Sequence, residues 1–275
     1  MTMFGPVLDV RPLFGQERQE LLALLRSLRA EDWSRETVCP GWDVHDVVGH
    51  VLNDYVRRIS GARDGFGGAV FANDETLPRY LARVNDEFVR AARQFSPELM
   101  VELLAHLGPE LDRLWAGFDL TGPAALDVSW AGPGSSPAWL DIAREYTEFW
   151  VHQQQIRDAV GRPGADRPEL VHPVLDTFLR GLPHALREVA RPSGTEVRVV
   201  VTGPPGGIWC AVSDEGRWRM AEPGGEPAAT VTVRPDDLWR LATRGITVTE
   251  ARRRADAQGD PALTEAVTAL LAVVA

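Results

Sequence analysis

Glu148 and His152 lie four residues apart in WLDIAREYTEFWVHQQQIRDAVG, a segment with helical periodicity. On a helix, residues at i and i+4 share one face, roughly 6 Å apart along the axis. A carboxylate and an imidazole so placed can grip one metal ion. His50, in the helical segment GWDVHDVVGHVLNDYVRRI, is a third candidate ligand if the two helices are neighbours. Three protein ligands leave one position of a tetrahedral ion open, as in catalytic rather than structural sites. Spacing alone leaves a second reading open, because acid–histidine pairs at i,i+4 are also frequent on solvated helix faces. A lone His50 would likewise read as a hydrogen-bonded core histidine.

Other residues can serve such a site. Asn53, Asp54 and Arg57 follow His50 at i+3, i+4 and i+7 and so line its face; they are candidate catalytic residues. Gln155, at i+3 from His152, is a similar case. The plainer reading of all four is a polar seam in a bundle. Arg79 and Arg83 could pair on a carboxylate of a substrate or cofactor, and Arg244, in RLATRG, could add a third cation. Their plainer reading is surface arginines. His45 is five residues before His50, roughly 140° round the helix, and should not share the site. His106, His172 and His184 lack ligand-like partners. Cys39 and Cys210 read as small buried hydrophobes.

The elements that must position these residues are legible as helices up to about 161. A first helix is expected over 13–30, with Leu21, Leu24, Leu25 and Leu28 as its apolar stripe. Asp43 is a plausible N-cap for a second helix over 44–62. A third is expected over 76–95. Ser96-Pro97 and Ser136-Pro137 then open helices running to about 117 and 161. Long helices joined by loops make an antiparallel bundle with inward-facing ligands the economical architecture. After about 165 the character changes. One helix over 168–190 is followed by TEVRVVVTG, GIWCAVS, RWRMAE and AATVTVR, which read as antiparallel strands. Helices return in PDDLWRLATRG, TEARRRADAQ and DPALTEAVTALLAVVA, giving an α+β pattern. GRPGADRP marks a linker, so domains are expected at 1–163 and 164–275. Trp33 and Trp42 should pin the loop before the second helix, and Trp209, Trp218 and Trp239 should fill the second core.

Composition excludes several function classes. The 275 residues are 44% hydrophobic and 25% charged, which is a globular balance. A net charge of −10 opposes binding to nucleic acid or an anionic membrane. Two distant cysteines give no disulfide framework or Cys-rich zinc site. No stretch reaches the length of a membrane span, and MTMFGPVLDVRP has neither the basic nor the apolar region of a signal peptide. A cytoplasmic monomer or homodimer is expected.

CPGWDVHDVVGHV, followed about a hundred residues later by EFWVHQQQIRDAVGRP, resembles the DinB-like maleylpyruvate isomerase N-terminal family of actinobacteria. The tail from TVTVRPDDLW onward resembles the same family's C-terminal domain, which is similar to sterol carrier protein. The resemblance implies a four-helix bundle with an open divalent metal site, usually zinc, ligated by His50, Glu148 and His152. It implies mycothiol as cofactor or co-substrate, and a metal-dependent enzyme that activates this thiol for S-transfer to, or isomerisation of, a small electrophile. The chain departs from the family in two places. His45 stands where a basic or polar residue is usual, and Gln153, Gln154 and Gln155 follow His152 before the first acid, Asp158. Two alternatives stand beside this expectation: a metal-dependent hydrolase or cyclase, and a non-catalytic protein that binds apolar ligands.

Overall fold

The computed structural model describes residues 3–132 and 134–270. The class is mixed: long helices followed by a five-stranded sheet with further helices. The chain divides into two compact units. One comprises Val10–Asp119 with Glu148–Ala165, and the other Met1–Asp9, Leu120–Thr147 and Asp166–Ala275. This division by packing differs from a single cut at 163, because residues 120–147 group with the later segment.

In the helical unit, α1 spans Phe14–Arg26, α2 Val44–Arg58, α3 Leu77–Ala92 and α4 Pro97–Ala116. The unit also takes the later part of α5, which spans Ala138–Val160. Helix α1 ends before the expected residue 30, where the Ser27 hydroxyl donates to Leu24 O at 2.6 Å and closes the last turn. Asp43 caps α2 by accepting from Asp46 N at 2.9 Å, as its residue type suggested. Ser96 does the same for α4. Helix α2 packs against α3 and α4, and α1 against α4. Gly49 permits the first of these approaches, since a Cβ there would lie 3.1 Å from the Ala92 methyl. Phe149 of α5 meets Phe14 at 6.0 Å and Tyr55 at 5.0 Å between ring centroids, joining α5 to α1 and α2 in one apolar layer.

In the second unit, α6 spans Pro168–Leu179 and α7 Leu182–Ala185, so the helix expected over 168–190 is broken. Strands β1 (Glu196–Val201), β2 (Gly207–Asp214), β3 (Arg217–Ala221) and β4 (Ala229–Val233) match the four expected segments. A fifth, β5 (Asp256–Gly259), replaces the end of the helix expected in TEARRRADAQ; α9 stops at Arg254. Its four residues are all exposed and lack a strand-like pattern. What makes it a strand is the backbone edge of β4, with which it pairs antiparallel. The sheet order is β3-β2-β1-β4-β5, and β1 pairs with β4 in parallel, so the sheet is not wholly antiparallel as its short segments suggested. In that register Val199 lies beside Val231 and Val201 beside Val233, all buried. Helices α8 (Pro235–Ala242), α9 (Val248–Arg254) and α10 (Pro261–Thr268) follow β4 in the chain. Residues 271–275, part of the last expected helix, lie outside the described residues. Trp209, Trp218 and Trp239 are buried in this unit.

Candidate metal centre

Periodicity on α2 puts Val44, Val47, Val48, Val51, Leu52 and Tyr55 in the buried arc. His50 lies about 60° beyond the edge of that arc, yet it is only 2% exposed. A buried imidazole needs polar partners. They come from α5, where Glu148 and His152 are one turn apart and His152 is fully buried. Glu148 Oε1 lies 3.3 Å from His50 Nε2 and 3.0 Å from His152 Nε2. The two imidazole rings stand 4.7 Å apart, nearly perpendicular. One ligand atom from each of the three residues falls within 4.8 Å of the other two.

The donor set fits a divalent ion. Bonds of about 2.0–2.2 Å in a tetrahedron space neighbouring ligands roughly 3.3–3.6 Å apart. The two Glu148–His distances stand within a few tenths of an ångström of that spacing. Two imidazoles and one carboxylate also suit zinc. Burial disfavours ionised Glu148, but hydrogen bonds from His152 and His50 outweigh it and hold the carboxyl well below its usual range. Burial also works against a charge on His152. Hydrogen bonding with Cys39 and Glu148 prevails and raises it to about 10. The triad is therefore electrostatically coupled with a negative oxygen at its centre.

The next ring of residues only partly follows the sequence reading. Asp54 comes close: its Oδ2 lies 3.6 Å from His50 Nε2. Arg57 stands 3.4 Å from Asp54 Oδ1 and also donates to Asn85 Oδ1 at 3.2 Å. Asn53 donates to the same Asn85 oxygen at 3.1 Å, so it ties α2 to α3. Gln155 Oε1 lies 2.7 Å from His152 Nδ1. The Arg83 guanidinium donates to Glu75, Glu87 and Val70 O, which engages it with its own loop and helix. Arg79 is exposed on α3. Arg244 belongs to the other unit, exposed and with a φ of 61°. His45 stays out of the cluster, contacting Phe95 O at 3.0 Å.

Two residues near the triad were not foreseen there. Cys39 Sγ lies 3.2 Å from Gln155 Oε1, although 116 residues separate them in sequence. Trp42 lays its ring 5.2 Å from that of His50. Both sit in the CPGWD loop that leads into α2, and only folding brings that loop to α5. Asn85 was likewise missed, because one asparagine in a helical pattern carries no signal.

A second buried polar group lies in the same unit. Glu17 is fully buried; its Oε1 accepts from Gln153 Nε2 at 2.7 Å while its Oε2 has no partner. Burial pushes its carboxyl up to about 7, against the pull of Gln153, Arg18 and Arg157.

Residues 14–157, which contain the whole triad, match the family described as the Mycothiol maleylpyruvate isomerase N-terminal domain. Two uncharacterized proteins of Mycobacterium tuberculosis are 30% identical over 166 residues, 59% of this chain and 60% of each relative's length. The chain is also similar in fold to crystal structures of the mycothiol-dependent maleylpyruvate isomerase. The native enzyme is 16% identical with a TM-score of 0.53, covering 89% of this chain and 93% of that one. A histidine-to-alanine mutant is 14% identical with a TM-score of 0.54, covering 94% and 96%. Among the described residues, no helix is long and apolar enough to cross a membrane.

Proposed function

The chain belongs to the Mycothiol maleylpyruvate isomerase N-terminal domain family, and on that premise we propose that it is a mycothiol-dependent isomerase of a small electrophilic substrate, with a divalent metal, zinc first, held by His50, Glu148 and His152. The observation that carries this reading is the convergence of three ligand atoms from α2 and α5 inside the matched segment. When bound, the ion would stabilise an ionised thiol at its open position.

The protein's own residues do the rest. Glu148 and the two histidines would hold the ion, with His50 and His152 buried. Asp54, 3.6 Å from His50 Nε2, is placed to take the proton that an incoming thiol gives up. Arg57 donates to its Oδ1 at 3.4 Å and orients it. The thiol would add to a conjugated double bond, the single bond so formed would rotate, and elimination would return the thiol. An S-transferase would stop at the adduct. Arg79 remains a candidate for a substrate carboxylate. Residues 1–163 would then be the metal-binding domain and 164–275 the sterol-carrier-like domain.

The test is metal analysis of the purified protein, then incubation with a maleyl-type substrate and mycothiol. Isomerised product with thiol returned supports the isomerase. Stoichiometric thiol consumption would make it an S-transferase. Turnover that ignores thiol would move it to the hydrolase or cyclase class. A groove of about 460 Å³ in the sheet-bearing unit, lined by Ile208, Trp209 and Met220 but also by Asp176, Arg180 and Glu222, is the place for a second reading, the binding of a largely apolar ligand. Co-purified lipid without any thiol turnover would support that one.

A further inference from the structure

Gln155 is 5% exposed, and its Oε1 has two close neighbours: His152 Nδ1 at 2.7 Å and Cys39 Sγ at 3.2 Å. A carbonyl oxygen only accepts hydrogen bonds. Both neighbours must therefore donate to it, the imidazole through Nδ1–H and the thiol through S–H. When a metal takes the place of the Nε2 proton, an imidazole that keeps its proton on Nδ1 offers the ion the Nε2 lone pair, at the atom 3.0 Å from Glu148 Oε1 in the triad. With the amide turned over, its NH₂ group would face both neighbours. Nδ1 would then have to accept, the proton would move to Nε2, and no lone pair would remain for a metal. The thiol opposes that reversal, because sulfur accepts hydrogen bonds only weakly.

We infer that Gln155 is a positioning residue that fixes the His152 tautomer for metal ligation, and that Cys39 fixes the orientation of Gln155. This rests on the metal reading proposed above. It also gives the departure noted after His152 a physical role. An amide oxygen one turn along the helix serves where a carboxylate would otherwise orient the ring. It does so without adding a second negative charge beside Glu148.

The experiment uses the full chain with histidine labelled in ¹⁵N, with and without Zn²⁺, and chelator competition for affinity. Long-range ¹⁵N–¹H spectra should show His152 protonated at Nδ1, with the Nε2 signal shifting when zinc is added. Gln155→Leu should lose the Nδ1–H signature and weaken zinc binding by about 10–100-fold, the range for partners of ligating histidines. Gln155→Glu keeps an acceptor, so it should restore the signature and most of the affinity. Cys39→Ala should lower affinity less than Gln155→Leu does, and Cys39→Ser should retain it. If Gln155→Leu does not fold, Gln155→Glu and the Cys39 pair still decide the matter. A wild-type spectrum with the proton on Nε2 alone overturns the inference. So does a folded Gln155→Leu with unchanged zinc affinity. Wild-type protein that binds no zinc overturns the metal reading instead, and the metal-free spectra still report whether Nδ1–H faces Gln155.

Discussion

Glu148 Oε1 lies 3.0 Å from His152 Nε2, one turn along the same helix and in a layer from which His152 has no access to solvent. Without a metal, that contact is a hydrogen bond that holds the pair charged against the burial that disfavours either charge. With one, the two atoms become adjacent ligands. The first prediction is that His152→Ala and Glu148→Ala each abolish stoichiometric zinc binding. Their loss should exceed the ~10–100-fold that changes outside the ligand set cost. His50→Ala should behave alike, because it removes the sole ligand from α2. Elemental analysis and chelator competition measure this, and a variant that keeps native affinity removes that residue from the ligand set.

Metal uptake should release a proton. His152 is raised to about 10 in the metal-free chain, so at neutral pH its ring is charged and Nε2 carries hydrogen. Glu148 is held below the usual carboxylate range, so it contributes no proton there. A raised pKa means that protons compete with metal until pH passes that value. Affinity should therefore climb with pH, about tenfold per pH unit for one proton below 10. Calorimetry in buffers of different ionisation enthalpy should report about one proton released between pH 7 and 8. Zinc affinity that is flat with pH would contradict this picture.

Glu17 should make stability depend on pH. Its folded value, about 7, lies above its ordinary 4.5. The folded chain therefore holds this proton more tightly than the unfolded chain does. That contribution is fully present below about 4.5 and is lost as pH rises through 7. The loss amounts to about 3 kcal/mol in order of magnitude. Glu17→Gln keeps the acceptor for Gln153 and removes the titration. Comparing urea unfolding of the two proteins from pH 5 to 8, the variant should gain on the wild type as pH rises. Parallel curves would show that Glu17 does not titrate in this range.

The sequence made some of this visible and not the rest, for physical reasons. The Glu148–His152 pair was legible because i,i+4 spacing becomes proximity through helix geometry alone. Caps at Asp43 and Ser96 were legible because their residue types satisfy helix N–H groups locally. His50 needed a family resemblance, since 98 residues separate it from Glu148 and no periodicity spans that gap. The Cys39–Gln155 contact had neither signal. Arg83 looked available for an anion, but its partner Glu75 lies in a loop whose path the sequence does not encode by pattern. Strand β5 and the parallel β1–β4 pairing were hidden for a related reason. Both are set by which backbone edge a segment meets, and not by its own side chains.

Asp54→Asn should separate proton transfer from metal binding. Asp54 Oδ2 lies 3.6 Å from His50 Nε2, close enough to serve a thiol at the open position, and among the described residues the ligand cluster is His50, Glu148 and His152 without it. Asparagine keeps its size and can still accept from Arg57, which holds Asp54 Oδ1 at 3.4 Å. Zinc content and folding should therefore stay as in the wild type. What asparagine lacks is basicity, so thiol-dependent turnover should fall by about 10²-fold or more, the usual contribution of a positioned base. Raising the pH should recover part of that loss, because a thiol that ionises in solution no longer needs the carboxylate. A structural role for Asp54 would instead lower metal content at every pH and show no such recovery. Metal content and turnover measured from pH 6 to 9 on both proteins distinguish the two. Unchanged turnover in Asp54→Asn would assign the proton to another acceptor.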